Sequence, residues 1–288
     1  MMQDRFVGDI GDFGKYGLLR ALCWGYGGER LRLGVNWYLV SDQGNPGDGG
    51  FIDYLHKKSP QDKKKPKTLL EMCDPELFSL LREIVFPDED DFHRMGRVQG
   101  KLQHYLCGKC SGAGDPGKCL SKRCIAKVEL QGILPGDTLF YSRVLDYPQR
   151  GSWVKAGYDF LRDCDLVFFD PDNGLQVNSV CRHEKMGVKY VFDDEAGIYY
   201  GRGQSLIIYQ HRSMEPENIY LARIKNSISN ITGREKIKTI RLRYRRGSAR
   251  DFLIIPNHHC PGHGNLIETR IDAMLQTAWS NHFIKYYL

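Results

Sequence analysis

The segment DLVFFDPDNGL at 165–175 changes character within one residue. A run of apolar residues delivers Asp170, and Pro171, Asp172, Asn173 and Gly174 follow. Two carboxylates this close at a strand exit have three chemical uses. They hold a divalent metal such as Mg or Mn, orient an amine, or accept a proton. Asp-Pro and Asn-Gly are also good turn formers, so a capped turn is the plainer reading of the same residues. A second apolar run at 203–211 ends in Tyr209, Gln210 and His211, with Arg212 next. His211 is suited to act as a base or a ligand because imidazole titrates near neutral pH, although a lone histidine is more often structural.

Two glycine-rich segments lie nearer the start. YLVSDQGNPGDGG follows the first apolar run, and glycines at such a place let backbone amides approach a nucleotide or cofactor. Asp42, Gly44, Gly47, Asp48 and Gly49 are the cofactor-binding candidates there, with the two acids able to meet ribose hydroxyls or to cap turns. The spacing is neither a dinucleotide fingerprint nor a phosphate loop. GDIGDFGKYG at 8–17 sets Asp9, Asp12 and Lys15 among glycines before the first helix, where a gate over the site and a simple cap are equal readings. Lys189, Asp193, Asp194 and Glu195, within 183–195, are candidates for the rim of the site or for a solvated loop.

Cysteine usage adds a separate feature. Of nine cysteines, Cys107, Cys110, Cys119 and Cys124 form a C-x2-C-x8-C-x4-C pattern within eighteen residues. The segment around them is poor in large apolar residues and cannot build its own core. Four thiolates at these spacings point to a tetrahedral structural zinc, whose binding would supply the folding energy that packing cannot. An iron–sulfur cluster and unliganded thiols are the alternatives. Cys23, Cys73, Cys164, Cys181 and Cys260 read as small buried hydrophobes.

These residues need elements to position them. The chain reads as a helix before residue 25 with Asp12 at its cap, and a strand at 31–40. A helix follows at 75–86, then a strand at 137–145, a helix at 153–163 and strands at 165–170 and 203–211. After them come a helix at 214–231, a hairpin at 237–257 and a closing helix at 265–283. Strands alternating with helices predict an α/β fold: a Rossmann-like, mostly parallel sheet with helices on both faces and a C-terminal antiparallel hairpin. In such sheets ligands bind outside the carboxyl ends of the strands, where the candidate loops fall. The length of 288 residues fits one domain, 1–288, with a zinc-binding insertion at 101–128. A hydrophobic content of 41% excludes a disordered chain. No apolar run reaches the ~20 residues of a membrane span, and the N-terminus lacks a secretory stretch, so a cytoplasmic protein without a membrane partner is expected. The net charge of +6 is gathered at 57–67, 101–127 and 234–250, a distribution suited to a nucleic-acid partner, RNA or DNA.

With GDFGKYGLLRAL, GVNWYLVSDQGNPGDGG, Asp170-Pro171-Asp172-Asn173 and the closing hairpin and helix on view, the chain resembles class I S-adenosylmethionine-dependent methyltransferases. It looks most like the group that methylates the exocyclic amine of an adenine in large-subunit ribosomal RNA. The resemblance implies S-adenosylmethionine held by the 44–50 loop, an amine oriented by Asp170 with Asp172 and Asn173 beside it, and closure by Lys15 or Tyr16. Two other functions suit the residues themselves. One is a Mg- or Mn-dependent nuclease or phosphoesterase using Asp170 and Asp172, assisted by His211 or Lys189. The other is a non-catalytic nucleic-acid-binding module on the same fold.

Overall fold

Helix α1 (Ile10–Trp24) starts three residues earlier than an Asp12 cap would place it. Asp9 is the cap: its Oδ1 accepts from the backbone N–H groups of Gly11 at 2.6 Å and Asp12 at 3.2 Å. Asp12 turns instead to Lys15, at 2.7 Å, and to the Gly8 N–H. Its apolar residues Tyr16, Leu18, Leu19, Leu22 and Cys23 are buried. A computed structural model describes residues 3–24, 29–40, 49–55, 68–87, 123–212 and 214–288. Its residues cluster into two units, one of Gln3–Arg20 with Ser41–Gly136, the other of Met1–Met2, Ala21–Val40 and Asp137–Leu288.

The smaller unit is helical in its described part: α2 (Leu69–Cys73), α3 (Pro75–Val85) and α4 (Ile125–Leu130). Asp74 caps α3 through the Leu77 N–H, with Pro75 at the first position, where its missing N–H costs nothing. Leu77, Phe78, Leu81 and Ile84 then fall on one buried face, and Phe13 of α1 meets the Phe78 ring edge-on. Buried Arg20 ties α1 to Asp74 and Glu76.

The larger unit holds a seven-stranded sheet. Its strands in chain order are β1 (Leu33–Asn36), β2 (Leu139–Tyr141), β3 (Leu166–Phe169), β6 (Ser205–His211), β7 (Ile240–Tyr244), β8 (Arg250–Ile255) and β9 (Phe283–Tyr287). The short β4 (Gly174–Leu175) and β5 (Tyr190–Val191) pair apart from it. The spatial order is β2-β1-β3-β6-β8-β7-β9. β2, β1, β3 and β6 are mutually parallel, and the pairings beyond β6 are antiparallel. β7 therefore runs with β6, and five of the seven strands share a direction. The α/β class, the mostly parallel sheet and the antiparallel hairpin of β7 and β8 are as the sequence predicts.

Helices α5 (Arg150–Phe160), α6 (Asp193–Gly201) and α7 (Glu217–Thr232) cover one face. Trp153, Tyr199, Tyr220 and Ile224 pack there on Val167, Phe169, Ile208 and Leu253. Each such large side chain contributes about 1.5–3 kcal/mol on burial. The alternate residues Leu166, Phe168, Ile207, Phe252 and Ile254 are buried too, so neither face of the central strands is open. Helix α8 (Pro261–Leu275) is fixed by buried Arg270, which donates to the Leu22 and Glu29 carbonyls.

Several expectations need correction. The closing helix ends at Leu275, and the next residues form a short turn and the edge strand β9. Residues 193–195 begin helix α6 rather than continuing a loop. Phe160 of α5 and Ile219 of α7 are exposed, while Tyr220, Ile224, Ile228 and Ile231 form the buried side of α7. Cys23 and Cys164 are buried, and burial pushes both thiols up to about 12, but Cys181 is exposed. No helix among the described residues is long and apolar enough to cross a membrane.

Candidate functional site

The chain passes from β1 to β2 on one side and from β3 to β6 on the other, so the strand order reverses between β1 and β3. Open parallel sheets bind ligands outside the strand ends at this reversal. Register aligns Asn36 with Phe169, and Phe169 with Ile208. Asp170 is thus the first residue beyond the aligned row, and its N–H donates to the Asn36 carbonyl at 3.0 Å. Asp170 is buried, only 4% exposed, while Asp172 and Asn173 are half-buried at the edge.

A glutamine amide braces the loop that follows. Gln210 of β6 is buried, and its Oε1 accepts from the Leu175 N–H at 2.9 Å. Its Nε2 donates to the Asn173 and His211 carbonyls, both at 3.0 Å. The Asn173 carbonyl also accepts from the His211 N–H at 3.1 Å. Gly174 makes this possible. Its φ of 110° is open to glycine, and a Cβ there would lie 2.3 Å from Gln210 Oε1.

Charge at the edge is arranged in a definite way. Asp172 pairs with Lys189 at 3.0 Å. Burial alone would raise the Asp172 carboxyl, but nearby positive charge, Lys189 included, holds it below the usual carboxylate range. That contribution to stability is present at neutral pH and is lost as pH falls through the lowered value. Burial first, and then the Arg250 guanidinium, lower His211 against the opposing pull of Asp172. His211 therefore stands neutral at pH 7, beside Arg250 in the register of β6 with β8.

The exit of β1 holds residues that sequence reasoning missed. Tyr38 is buried with a φ of 48°, a left-handed conformation that costs a non-glycine residue about 1–2 kcal/mol. Its ring packs on Trp153 and Phe169, and its hydroxyl lies 3.5 Å from Glu195 Oε2. Glu195, considered above only for the rim, is fully engaged by Arg150, whose Nε and Nη2 donate at 2.6 and 2.7 Å. The same guanidinium donates to the carbonyls of Gly187 and Tyr190, which lie on either side of Lys189 in the chain. Arg150 carries no sequence signal beyond its place before an amphipathic helix. Gln210 carried one, the sudden polarity after an apolar run.

The remaining candidates fall elsewhere. Lys15 belongs to the smaller unit, buried against Asp12. Gly49 is also there. Its φ is 74°, a Cβ would lie 2.4 Å from the Arg5 carbonyl oxygen, and its own carbonyl accepts from Arg123 at 2.8 Å. Local packing is thus enough to require a glycine at that position. Asp42, Gly44, Gly47 and Asp48 lie outside the described residues, as do Cys107, Cys110, Cys119 and the basic stretch 57–67. Cys124 is buried just before α4. Among the described residues no group of three His, Cys, Asp or Glu side chains is placed to hold a metal.

Part of the basic stretch 234–250 is engaged by carboxylates. Arg241 pairs with Glu217, Arg243 with Asp251 and Lys238 with Glu268. Compared with protein-family models, with curated proteins and with solved structures, the chain matches none.

Proposed function

We propose that the larger unit transfers a methyl group from S-adenosylmethionine to an exocyclic amine of a nucleic-acid base. The observation that carries this reading is a buried carboxylate, Asp170, at the carboxyl end of β3 beside the reversal of strand order. The main chain turned at Tyr38 and the Asp170 carboxylate at the neighbouring strand end are polar and partly anionic, which suits a cationic cofactor. Asp42, Gly44, Gly47, Asp48 and Lys15 enter the proposal on their sequence alone.

S-adenosylmethionine, when bound, supplies an electrophilic methyl group. Asp170 accepts a hydrogen bond from the amine and so directs the nitrogen lone pair, and most of the rate comes from proximity and orientation. A base within a duplex must first leave its stack. His211, neutral at pH 7, takes at a ring nitrogen the proton that the amine loses. The pairing of Asp172 with Lys189 favours this reading over a Mg- or Mn-dependent phosphoesterase, because it engages the second carboxylate that a metal would need. A non-catalytic binding module would use the same edge without the proton transfer.

Thermal unfolding with added ligand separates the three. S-adenosylmethionine at about a hundred times its dissociation constant should stabilise the protein by about 2.7 kcal/mol. Stabilisation by Mg alone, abolished by Asp170→Asn with Asp172→Asn, would replace the proposal with the phosphoesterase. No response to either ligand would leave the binding module.

A further inference from the structure

Four arginines meet where β6 and β7 end and α7 begins, next to the Asp170 loop. Arg212 follows β6, Arg241 and Arg243 lie on β7 and Arg223 is on α7. Register places Gln210, Asp251 and Arg243 in one row across β6, β8 and β7. Arg243 is therefore two strand spacings, about 10 Å, from the amide that braces the loop.

Their carboxylates do not match them. Asp251 is fully buried and committed to the Arg243 fork at 2.8 and 3.0 Å, and to the Tyr220 hydroxyl at 2.8 Å. Glu215 takes Arg223. Glu217 alone serves three guanidiniums, Arg241 at 2.6 Å, Arg212 at 3.0 Å and Arg243 at 3.3 Å. Four guanidiniums thus share three carboxylates. The amino end of α7, with Pro216 at its cap and no side-chain cap bond, adds to the positive potential. Two buried guanidinium N–H groups, Arg241 Nε and Arg223 Nη1, have no acceptor among the described residues. The guanidinium planes are held against aromatic rings, Arg212 over Tyr220 at 4.5 Å and Arg241 over Tyr286 at 4.3 Å.

We propose that this cluster is a subsite for the phosphodiester backbone of a single-stranded nucleic acid, led by Arg212, Arg223 and Arg243. Guanidinium forks match phosphate oxygens in pairs. The arginines spread from α7 across the hairpin, a span suited to a strand rather than to one phosphate. A backbone held here brings a neighbouring base to the Asp170 edge. The inference deepens the function proposed above by naming the substrate's anchor, and its test needs no cofactor, so the two can fail separately.

The test is fluorescence anisotropy of a labelled twelve-nucleotide single-stranded RNA with the full chain, at several salt concentrations. Removing one phosphate-binding cation lowers the log–log salt slope by about 0.7. The Arg212→Gln/Arg223→Gln variant is expected to bind more weakly, with a slope smaller by about 1.4. Glu215→Gln, which removes a competing carboxylate, is expected to tighten binding several-fold, a gain that misfolding cannot mimic. No binding by the wild type overturns the inference, as does an unchanged slope in the double variant or unchanged affinity in Glu215→Gln. Arginine-dependent stabilisation by inorganic phosphate without RNA binding also overturns it and assigns the cluster to a small anion.

Discussion

Replacing Arg150 by methionine is expected to cost about 3–5 kcal/mol, because it leaves the Glu195 carboxylate buried without its partner. Arg150 is 1% exposed and Glu195 5%, so water cannot take over the lost hydrogen bonds. The Gly187 and Tyr190 carbonyls lose a donor in the same step. Urea unfolding followed by tryptophan fluorescence measures the loss, since Trp153 packs against Tyr38 beside the pair. Adding Glu195→Gln to the variant should recover part of it, because a neutral amide is far less costly to bury than a lone carboxylate. A single-variant loss under about 1 kcal/mol would mean that the pair is not the brace described above. Arg150→Lys is not a conservative change here, since an ammonium cannot form the fork.

Gly174→Ala is expected to cost about 2–4 kcal/mol, from a strained φ and from displacement of a buried amide. The new methyl would overlap Gln210 at 2.3 Å, and moving that amide releases Leu175 N–H and the Asn173 carbonyl. The loop carrying Asp172 and Asn173 would shift with it, so binding at this edge should weaken along with stability. In the Gln210→Ala background the overlap is absent, and Gly174→Ala should then cost less than it does alone. Equal costs in the two backgrounds, from a double-mutant cycle, would show that Gln210 and Gly174 are not coupled.

How far the fold could be read in advance depended on contrast along the chain. β3 and β6 were legible because apolar runs stop abruptly at Asp170 and Gln210. The hairpin was legible from two apolar runs about a Gly-Ser turn. β9 was not, because FIKYY follows an amphipathic helix without a glycine or proline stop. α6 was hidden by three consecutive acids, which look solvated, yet Asp193 and Glu195 are buried in its first turn and Asp193 accepts from Asn230. At the site, Asp170 and His211 could be placed on the edge by strand order alone. The Arg150–Glu195 pair could not, because it joins residues 45 apart in sequence through tertiary packing. Composition located the positive charge at 234–250, yet only the fold shows which carboxylates meet it.

In the function proposed above, Asp170 orients an amine for methyl transfer. The direct measurement is transfer of tritiated methyl from S-adenosylmethionine to an adenine-containing single-stranded RNA by the wild type and by Asp170→Asn. Base-linked label from the wild type, lowered at least about a hundredfold in the variant, is the expected result for a positioning carboxylate. No label from the wild type, or equal label from both proteins, would contradict the account.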